Sequence, residues 1–402
     1  MSLSEKRFFR PIAVFSLALI GLILGPITAL AGPGAIEINQ TCATQTGCFV
    51  GDAPGFPVTP TASTPRSLRL TSDLIVSDPF TTAIDFAGAF GGSFRFDLGG
   101  FEIRGPVTCT PTCTPSGDGV GVLADDLAQL TVENGAIRGM TGLGISAQSA
   151  SAQIRNMHFE RNGDGGLVVG ASSLIEHVSA YRNDGTGIQF SSASVVRNCT
   201  SRANVGAGIS AGDRSTVASC AVTENSGSGV SMGAWSKLID STVSFNSANG
   251  VIGSSRTVIR GNTIASNDRD GINLEGGRVV IMGNSVTSSG RMGIRGAQGS
   301  VITDNLVADS GEDGIFARDG STIRGNSTLE NGTTTDHDGI YCTLGCTVQE
   351  NTARANAGFG LRFDSGSSVY SGNAIGANNA AGTVVNGRDA GGNVCGTTLG
   401  CP

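Results

Sequence analysis

The residues best suited to chemistry lie together late in the chain, around His337. Asp336 and Asp338 flank this histidine, Asp313 precedes Asp338 by 25 residues and Tyr341 follows it by three. A histidine oriented by a carboxylate is a good general base near neutral pH. Asp313 and Asp338 could equally act as the acid and base of a glycosidase. With Asp336, the same two carboxylates could hold Ca²⁺, which prefers oxygen ligands.

A row of large polar and aromatic residues accompanies this cluster. Its members each come two residues after the glycine of a repeated Gly-aliphatic pair: Asn273, Arg295, Phe316, Tyr341 and Arg362. A second outward row, four residues after the glycine, contributes Arg318. The equivalents of the first row in the first half of the chain are small or uncharged: Ser146, Val168, Gln189, Ser210, Ser231 and Ile252. Aromatic rings can stack on sugar rings and arginine pairs with their carboxylates, so only the second half predicts a polysaccharide-binding face.

For a uronate polymer these residues predict a specific mechanism. Arg295 or Arg362 would neutralise the uronate carboxylate while His337 takes the C5 proton. Tyr341 would then protonate the departing oxygen, which is lyase or epimerase chemistry. Asp-Gly pairs are also common in turns, where Asp caps the bend and Gly supplies a positive φ. The sequence therefore predicts binding or processing of a polysaccharide, and a purely structural or adhesive role stays open beside it.

A fixed repeat must position all of these residues. Gly-aliphatic pairs recur every 21 residues at Gly187, Gly208, Gly229, Gly250 and Gly271, and similar pairs continue the repeat before and after this stretch. Such a period is typical of stacked-coil repeat proteins. Three apolar columns in each repeat predict three short strands facing one core. The predicted fold is an all-β parallel solenoid with three parallel sheets and roughly 12 coils of 21–22 residues.

Two asparagine columns follow the same period. The first predicts a ladder in which each side-chain amide bonds to the next, and it runs through Asn262, Asn284, Asn305, Asn326, Asn351 and Asn373. The second predicts bends at which asparagine adopts the left-handed backbone. It runs through Asn162, Asn183, Asn204, Asn225, Asn246, Asn267, Asn331, Asn356 and Asn378. Both columns indicate structure rather than catalysis.

The repeats over residues 94–388 resemble those of right-handed parallel β-helix proteins of the pectate-lyase-like superfamily. That group includes polysaccharide lyases, hydrolases, epimerases, phage tailspikes and adhesins, so the resemblance implies a right-handed solenoid with function on an outward face. Asp336-His337-Asp338 also resembles the Asp-Pro-His-Asp motif of β-helical mannuronan epimerases, although the proline is missing. Because one fold hosts many activities, the resemblance implies the architecture and leaves the reaction open.

The N-terminus predicts export. Basic residues Lys6, Arg7 and Arg10 precede an apolar run over residues 12–24, and Ala29-Leu30-Ala31 offers a cleavage site. We expect a signal peptide over residues 1–31, an N-terminal cap over 32–72, a parallel β-helix over 73–388 and a C-terminal cap over 389–402. The expected location is secreted, periplasmic or on the cell surface, with no membrane insertion after cleavage.

Eight of the ten cysteines form short-range pairs: Cys42/Cys48, Cys109/Cys113, Cys342/Cys346 and Cys395/Cys401. In an exported chain such pairs predict loop-closing disulfides at the ends and insertions. Cys199 and Cys220 are 21 residues apart, which predicts neighbouring coils, either bridged or as two buried thiols.

The net charge of the chain narrows the range of expected binding partners. The chain has a formal net charge of −7 and no basic run after the N-terminus. Nucleic acids and anionic membranes are held by clustered cations, so neither is an expected partner. A polysaccharide or cell-surface glycan remains, with Ca²⁺ as the one cofactor that the residues suggest.

Overall fold

The computed structural model describes residues 34–109, 113–334, 336–378, 383–396, 398–399 and 401, without the side chains of residues 109, 113, 398 and 399. The predicted signal peptide lies outside the described residues, and the predicted Cys109–Cys113 disulfide involves side chains that are not described. From Ala35 onward the chain forms one compact unit.

The chain winds as an all-β parallel solenoid of about 13 turns, as predicted. Each regular coil carries three strands of three residues, and each strand pairs in parallel with its equivalent one coil later. Ile188 is the partner of Ile209, and Ile209 of Val230, so the 21-residue period is the pairing register.

One sheet contains 14 strands and forms the face that carries the candidate site. Its strands are Ile84–Asp85, Val122–Leu123, Leu143–Ala147, Gly165–Val169, Thr186–Phe190, Ile209–Ala211, Val230–Met232, Val251–Gly253, Ile272–Leu274, Ile294–Gly296, Ile315–Ala317, Ile340–Cys342, Leu361–Phe363 and Val384–Val385.

The other two predicted sheets are joined into one of 30 strands, because Gln129–Arg138 and Ser151–Glu160 run unbroken through a bend. Its remaining strands are Ile36–Ile38, Ser67–Leu70, Leu74–Ile75, Ser93–Asp97, Glu102–Arg104, Leu174–Glu176, Ser179–Tyr181, Val195–Arg197, Thr200–Arg202, Thr216–Ala218, Ala221–Thr223, Lys237–Ile239, Thr242–Ser244, Val258–Arg260, Thr263–Ala265, Val280–Met282, Ser285–Thr287, Val301–Thr303, Leu306–Ala308, Thr322–Arg324, Ser327–Leu329, Thr347–Gln349, Thr352–Arg354, Val369–Ser371, Ala374–Gly376, Arg388–Asp389, Val394–Cys395 and Thr398–Leu399. Thr108–Cys109 and Cys113–Thr114 form a separate hairpin, and Cys42–Thr46 is a short π-helix.

The core is a column of aliphatic side chains along the solenoid axis. Ile188, Val217 and Ile264, one from each apolar column, are fully buried. Side chains alternate across a strand, so the middle residue of each three-residue strand on the larger sheet points inward. Most residues on either side of it are partly or fully exposed, with exceptions such as Ser244 and Ala308.

The repeated glycines are required by close stacking between coils. A Cβ at Gly250 would lie 2.6 Å from the carbonyl oxygen of Gly271, and one at Gly314 would lie 2.7 Å from that of Gly339. The expectation that glycine supplies a positive φ in the Asp-Gly pairs is wrong for Gly271, Gly314 and Gly339, which do not have one. Space, rather than backbone conformation, selects glycine here.

Both asparagine columns form buried hydrogen-bonded ladders. In the first, Asn284 Nδ2 donates to Asn305 Oδ1 at 2.9 Å, as predicted. In the second, Asn183 Nδ2 donates to Asn204 Oδ1 at 2.9 Å. The prediction of left-handed backbone at this second column is wrong, because the positive φ belongs to the preceding residue, for example Arg182. The asparagine amide satisfies buried backbone groups around that bend.

Three of the predicted disulfides are formed, Cys42–Cys48, Cys342–Cys346 and Cys395–Cys401, and they fit an oxidising compartment. Cys199 and Cys220 are unbridged and buried. Among the described residues, no helix has the length and apolar character needed to cross a membrane.

Candidate functional site

Parallel pairing places the predicted binding row on one face. Arg295 pairs with Phe316, Phe316 with Tyr341 and Tyr341 with Arg362. Each member is the central residue of its strand in the 14-stranded sheet, and its two strand neighbours are buried. Alternation therefore turns these four side chains outward, one coil apart. We call Arg295, Phe316, Tyr341 and Arg362 the outer row.

Three members of the outer row are in direct contact. The rings of Phe316 and Tyr341 pack edge to face with centroids 5.2 Å apart, and the Arg362 guanidinium lies 4.9 Å from the Tyr341 centroid. Tyr341 Oη donates a hydrogen bond to Asp364 Oδ1 at 2.7 Å. Burial and this carboxylate raise the pKa of Tyr341 to about 12, so the phenol is neutral at physiological pH. The result is a fixed platform of two rings and one cation.

A shallow groove runs beside this platform. It has a volume of about 470 Å³ and is lined by Asp336, Phe359, Arg362, Phe363, Asp364, Val385 and Asn386. Sequence reasoning selected Asp336 and Arg362 but not Asp364, although its place four residues after Gly360 marks it as outward-facing. The sequence gives no indication that Phe359 and Asn386 line the groove, because neither belongs to a column of similar residues that repeats from coil to coil.

The predicted catalytic carboxylates are structural acceptors. Asp313 Oδ1 accepts the backbone N–H of Asp338 at 2.6 Å, and Asp338 Oδ1 accepts that of Phe359 at 2.7 Å. Asn249 and Asp270 occupy the same corner and accept the next coil's N–H in the same way. Each side chain thus ties one coil to the next, as the amide of a ladder does.

Asp338 is the most confined of these groups, with no exposed surface. The pKa of Asp338 is raised to about 6, chiefly by burial. The hydrogen bond from the Phe359 N–H opposes this rise, the neighbouring Asp313 adds to it, and Arg362 opposes it. Its Oδ2 has no hydrogen bond and lies 3.6 Å from Arg362 Nη1. Burial also raises the pKa of Asp313 and of Asp270. A carboxylate with no exposed surface cannot touch a glycan, so Asp338 can act on one only through Arg362.

Among the described residues, the His337 side chain forms no hydrogen bond with its predicted partners Asp313 and Tyr341. Its backbone N–H donates to Thr334 at 3.2 Å and its carbonyl accepts the N–H of Gly358 at 2.6 Å. The imidazole is close enough to lower the pKa of Asp313. Within the part of the chain that the structure describes, it makes no hydrogen bond or ion pair. His337, Asp313 and Tyr341 therefore share one end of the sheet without forming a hydrogen-bonded triad.

The remaining predicted residues are spread further along the face. Arg318 is exposed, and neither it nor Arg295 has a carboxylate partner among the described residues. Asn273 is only 8% exposed and lines a different groove of about 290 Å³ with Ser231, Ile252 and Glu275. Among the described residues, no three carboxylate, imidazole or thiol groups are placed to hold a metal ion, so the Ca²⁺ set of Asp313, Asp336 and Asp338 is not assembled.

The fold and its outward row define a parallel β-solenoid with a surface groove. Residues 112–248 and 249–396 match the family model "Right handed beta helix region", and the chain belongs to this family.

Solved structures of low identity are similar to this chain, and two tailspike proteins share its fold. A mutant tailspike protein of E. coli bacteriophage HK620, in complex with a hexasaccharide, aligns with a TM-score of 0.50 at 9% identity, covering 84% of this chain and 73% of that one. The Siphovirus 9NA tailspike receptor binding domain aligns with a TM-score of 0.50 at 13% identity, covering 83% and 73%. The mannuronan C-5 epimerase A-module of Azotobacter vinelandii aligns with a TM-score of 0.38 at 12% identity, covering 91% and 87%. No curated protein has a significant sequence match to the chain.

Proposed function

We propose that this protein binds a polysaccharide on the outer row and the adjoining groove of its C-terminal coils. The observation that carries the proposal is the contact of Phe316, Tyr341 and Arg362 on consecutive coils. Rigid aromatic rings offer a large contact area with little loss of side-chain entropy on binding. Asp336 and Asp364 beside them supply acceptors for sugar hydroxyl groups.

The cations of the outer face favour a chain that carries carboxylates. Among the described residues Arg295 and Arg318 form no ion pair, although Arg295 is close enough to lower the pKa of Asp270. A guanidinium binds a carboxylate through two parallel hydrogen bonds. We therefore propose a uronate-containing polysaccharide with its carboxylates near Arg295 and Arg318. Export of the protein to an extracellular location is part of this proposal, and the disulfides support it.

The burial of the carboxylates supports binding without turnover. Asp338 and Asp313 are 0% and 5% exposed, and each gives one oxygen to a backbone N–H. A general acid or base must reach the reacting oxygen or proton within hydrogen-bond distance. The hexasaccharide bound by the phage tailspike supports the class of ligand for a solenoid of this fold.

A glycan array followed by titration of the best ligand tests the proposal. Tyr341→Ala should weaken binding about tenfold or more, because the platform loses its central ring. Gln189→Ala, the equivalent change in the first half, serves as the control and should leave affinity unchanged. Equal affinity of the wild type and Tyr341→Ala would rule out the proposed face.

A second measurement separates binding from catalysis. His337→Ala should keep the affinity of the wild type, and incubation with polygalacturonate or alginate should yield no unsaturated product that absorbs in the ultraviolet. Formation of such a product by the wild type, and its loss in His337→Ala, would establish a lyase instead.

A further inference from the structure

A second surface stands at the opposite edge of the 14-stranded sheet, where each coil turns toward the larger sheet. Four consecutive coils place Arg214, Trp235, Arg256 and Arg278 at the same corner. We call these four residues the corner ridge. The backbone N–H of Arg214 bonds to the carbonyl of Ala234 at 2.8 Å and that of Trp235 to Ser255 at 2.9 Å, which fixes the stacking.

The backbone of the ridge would be easier to form with other residues. All four have a positive φ between 56° and 63°, a region that bulky side chains disfavour. Coils on either side fill this corner with small residues, Ala193 before the ridge and Gly299 and Gly320 after it. The fold therefore does not require the large side chains. Bulky residues have a positive φ at other bends as well, for example Arg182 and Phe245. It is therefore the run of four large side chains at a corner that small residues can fill that points to a role outside the fold.

The ridge carries three positive charges. Within the part of the chain that the structure describes, Arg214, Arg256 and Arg278 make no ion pair. Lys237 and Arg260, which face outward on the adjoining strands, are likewise without one. Some arginines elsewhere in this acidic protein do have partners, as Arg202 does with Glu224 at 2.9 Å. Asp213, which precedes Arg214 in the chain, accepts the backbone N–H of Ala234 at 2.8 Å.

The single tryptophan of the chain lies within this charge. Trp235 is 51% exposed, and the Arg256 guanidinium lies 4.1 Å from its ring centroid. An exposed indole with one side against a cation offers its remaining surface to a partner ring. Arg256 and Arg278 are one coil apart, at about 4.8 Å, and Arg214 lies two coils before Arg256. Cations in such a line suit a ligand whose charges also repeat along a line.

We propose that the corner ridge is a second binding surface, for an acidic polysaccharide lying along the solenoid axis. Guanidinium groups would pair with its carboxylate or sulfate groups, while Trp235 packs on a sugar ring. A nucleic acid is the less suitable polyanion, because the protein is acidic overall and the ridge offers one aromatic residue rather than a series. This surface is separate from the C-terminal outer row and does not depend on the function proposed there.

The lone tryptophan makes the test specific to this surface. The full-length mature protein is titrated at low salt with polygalacturonate, dextran sulfate, uncharged dextran and a single-stranded DNA oligonucleotide, and Trp235 emission is recorded. Polygalacturonate and dextran sulfate distinguish carboxylate from sulfate ligands. We expect either acidic polysaccharide to change the emission, salt to weaken the effect, and dextran to have none.

Matched variants test whether the change in Trp235 emission arises from binding at the corner ridge. Arg256→Gln with Arg278→Gln should weaken the titration at least about fivefold. Arg354→Gln with Arg388→Gln makes the same change in net charge at exposed positions elsewhere and should leave it within about twofold. Tyr341→Ala should leave it unchanged, which separates this surface from the outer row. Unchanged emission with both acidic polysaccharides, an equal loss in the two double variants, or a response to DNA alone would each overturn the proposal.

Discussion

The two halves of the 14-stranded sheet have the same interior and different exteriors. Ile209 and Ile315 occupy the same buried position, and both are fully covered. One residue further on, the outward position holds Ser210 in the first half and Phe316 in the second. Pairing register and core packing constrain only the inward residue. The outward residues are therefore free to differ, and their difference marks the half that we propose to bind a glycan.

A second contrast lies at the corner before the sheet. Ala207 and Ser228 stand there in the first half, and Asp313 and Asp338 in the second. A buried carboxylate is costly unless it is hydrogen-bonded or paired. The second half keeps three of them, Asp270, Asp313 and Asp338, and Asp338 lies beside Arg362 of the outer row. These carboxylates tie neighbouring coils together, and Asp338 also places a negative charge beside the platform.

The largest loss of stability should come from substitutions in the asparagine ladders, which belong to the interior that both halves share. Asn305→Ala would leave both the backbone N–H and the Nδ2 of Asn284 without their acceptor, and Asn204→Ala would do the same to Asn183. Each should lower the free energy of unfolding by about 2–4 kcal/mol, the cost of buried unsatisfied donors. Denaturant unfolding measures the loss. A large loss in one half alone would contradict the common interior.

Asp338 should make stability depend on pH. Because its folded pKa of about 6 is above the unfolded value, the folded state holds this proton more tightly. Stability should therefore fall as pH rises from about 4 to about 6, by on the order of 2–3 kcal/mol, and remain lower above that range.

Asp338→Asn should remove this dependence, since Asn249 performs the same backbone contact at the equivalent corner. Asp309→Asn, at an exposed carboxylate of the same half, is the control. Thermal unfolding at pH 4.5 and 7 compares the three proteins. A wild type that is more stable at pH 7 than Asp338→Asn would refute the assignment.

Loss of the Arg362 cation from the outer row should affect binding more than stability. Arg362→Gln removes the group over the Tyr341 ring and should cost about 1 kcal/mol of glycan binding, roughly a fivefold loss in affinity. Isothermal titration with the best array ligand measures it. Arg197→Gln, on the larger sheet, should leave affinity unchanged.

The smallest effect is expected in the first half of the face. Ser210→Ala should change the free energy of unfolding by less than about 0.5 kcal/mol and leave affinity unchanged. Weaker glycan binding by Ser210→Ala would extend the site into the first half and remove the contrast between the two regions.

The sequence predicts the regular parts of this molecule well, because each depends on the register alone. The outer row, the first asparagine ladder and three disulfides follow from residue spacing. The second asparagine column was misassigned, since a spacing does not tell which residue of a bend has the positive φ; here it is Arg182 and not Asn183.

The candidate site was less predictable, because its chemistry depends on orientation. The cluster of acidic residues around His337 gives no sign that Asp313 and Asp338 point into the corner to accept backbone N–H groups. The corner ridge was missed for a related reason. Arg214 and Arg256 are separated by two periods, and an arginine at a bend is not distinguished by its sequence neighbours.

The most direct test is a crystal structure of the protein with an oligosaccharide from the array. The account predicts that the sugar lies over Phe316, Tyr341 and Arg362, with its carboxylate at Arg295 or Arg318. A sugar seated over Gln189, Ser210 and Ser231 instead, with the outer row empty, would contradict the central claim.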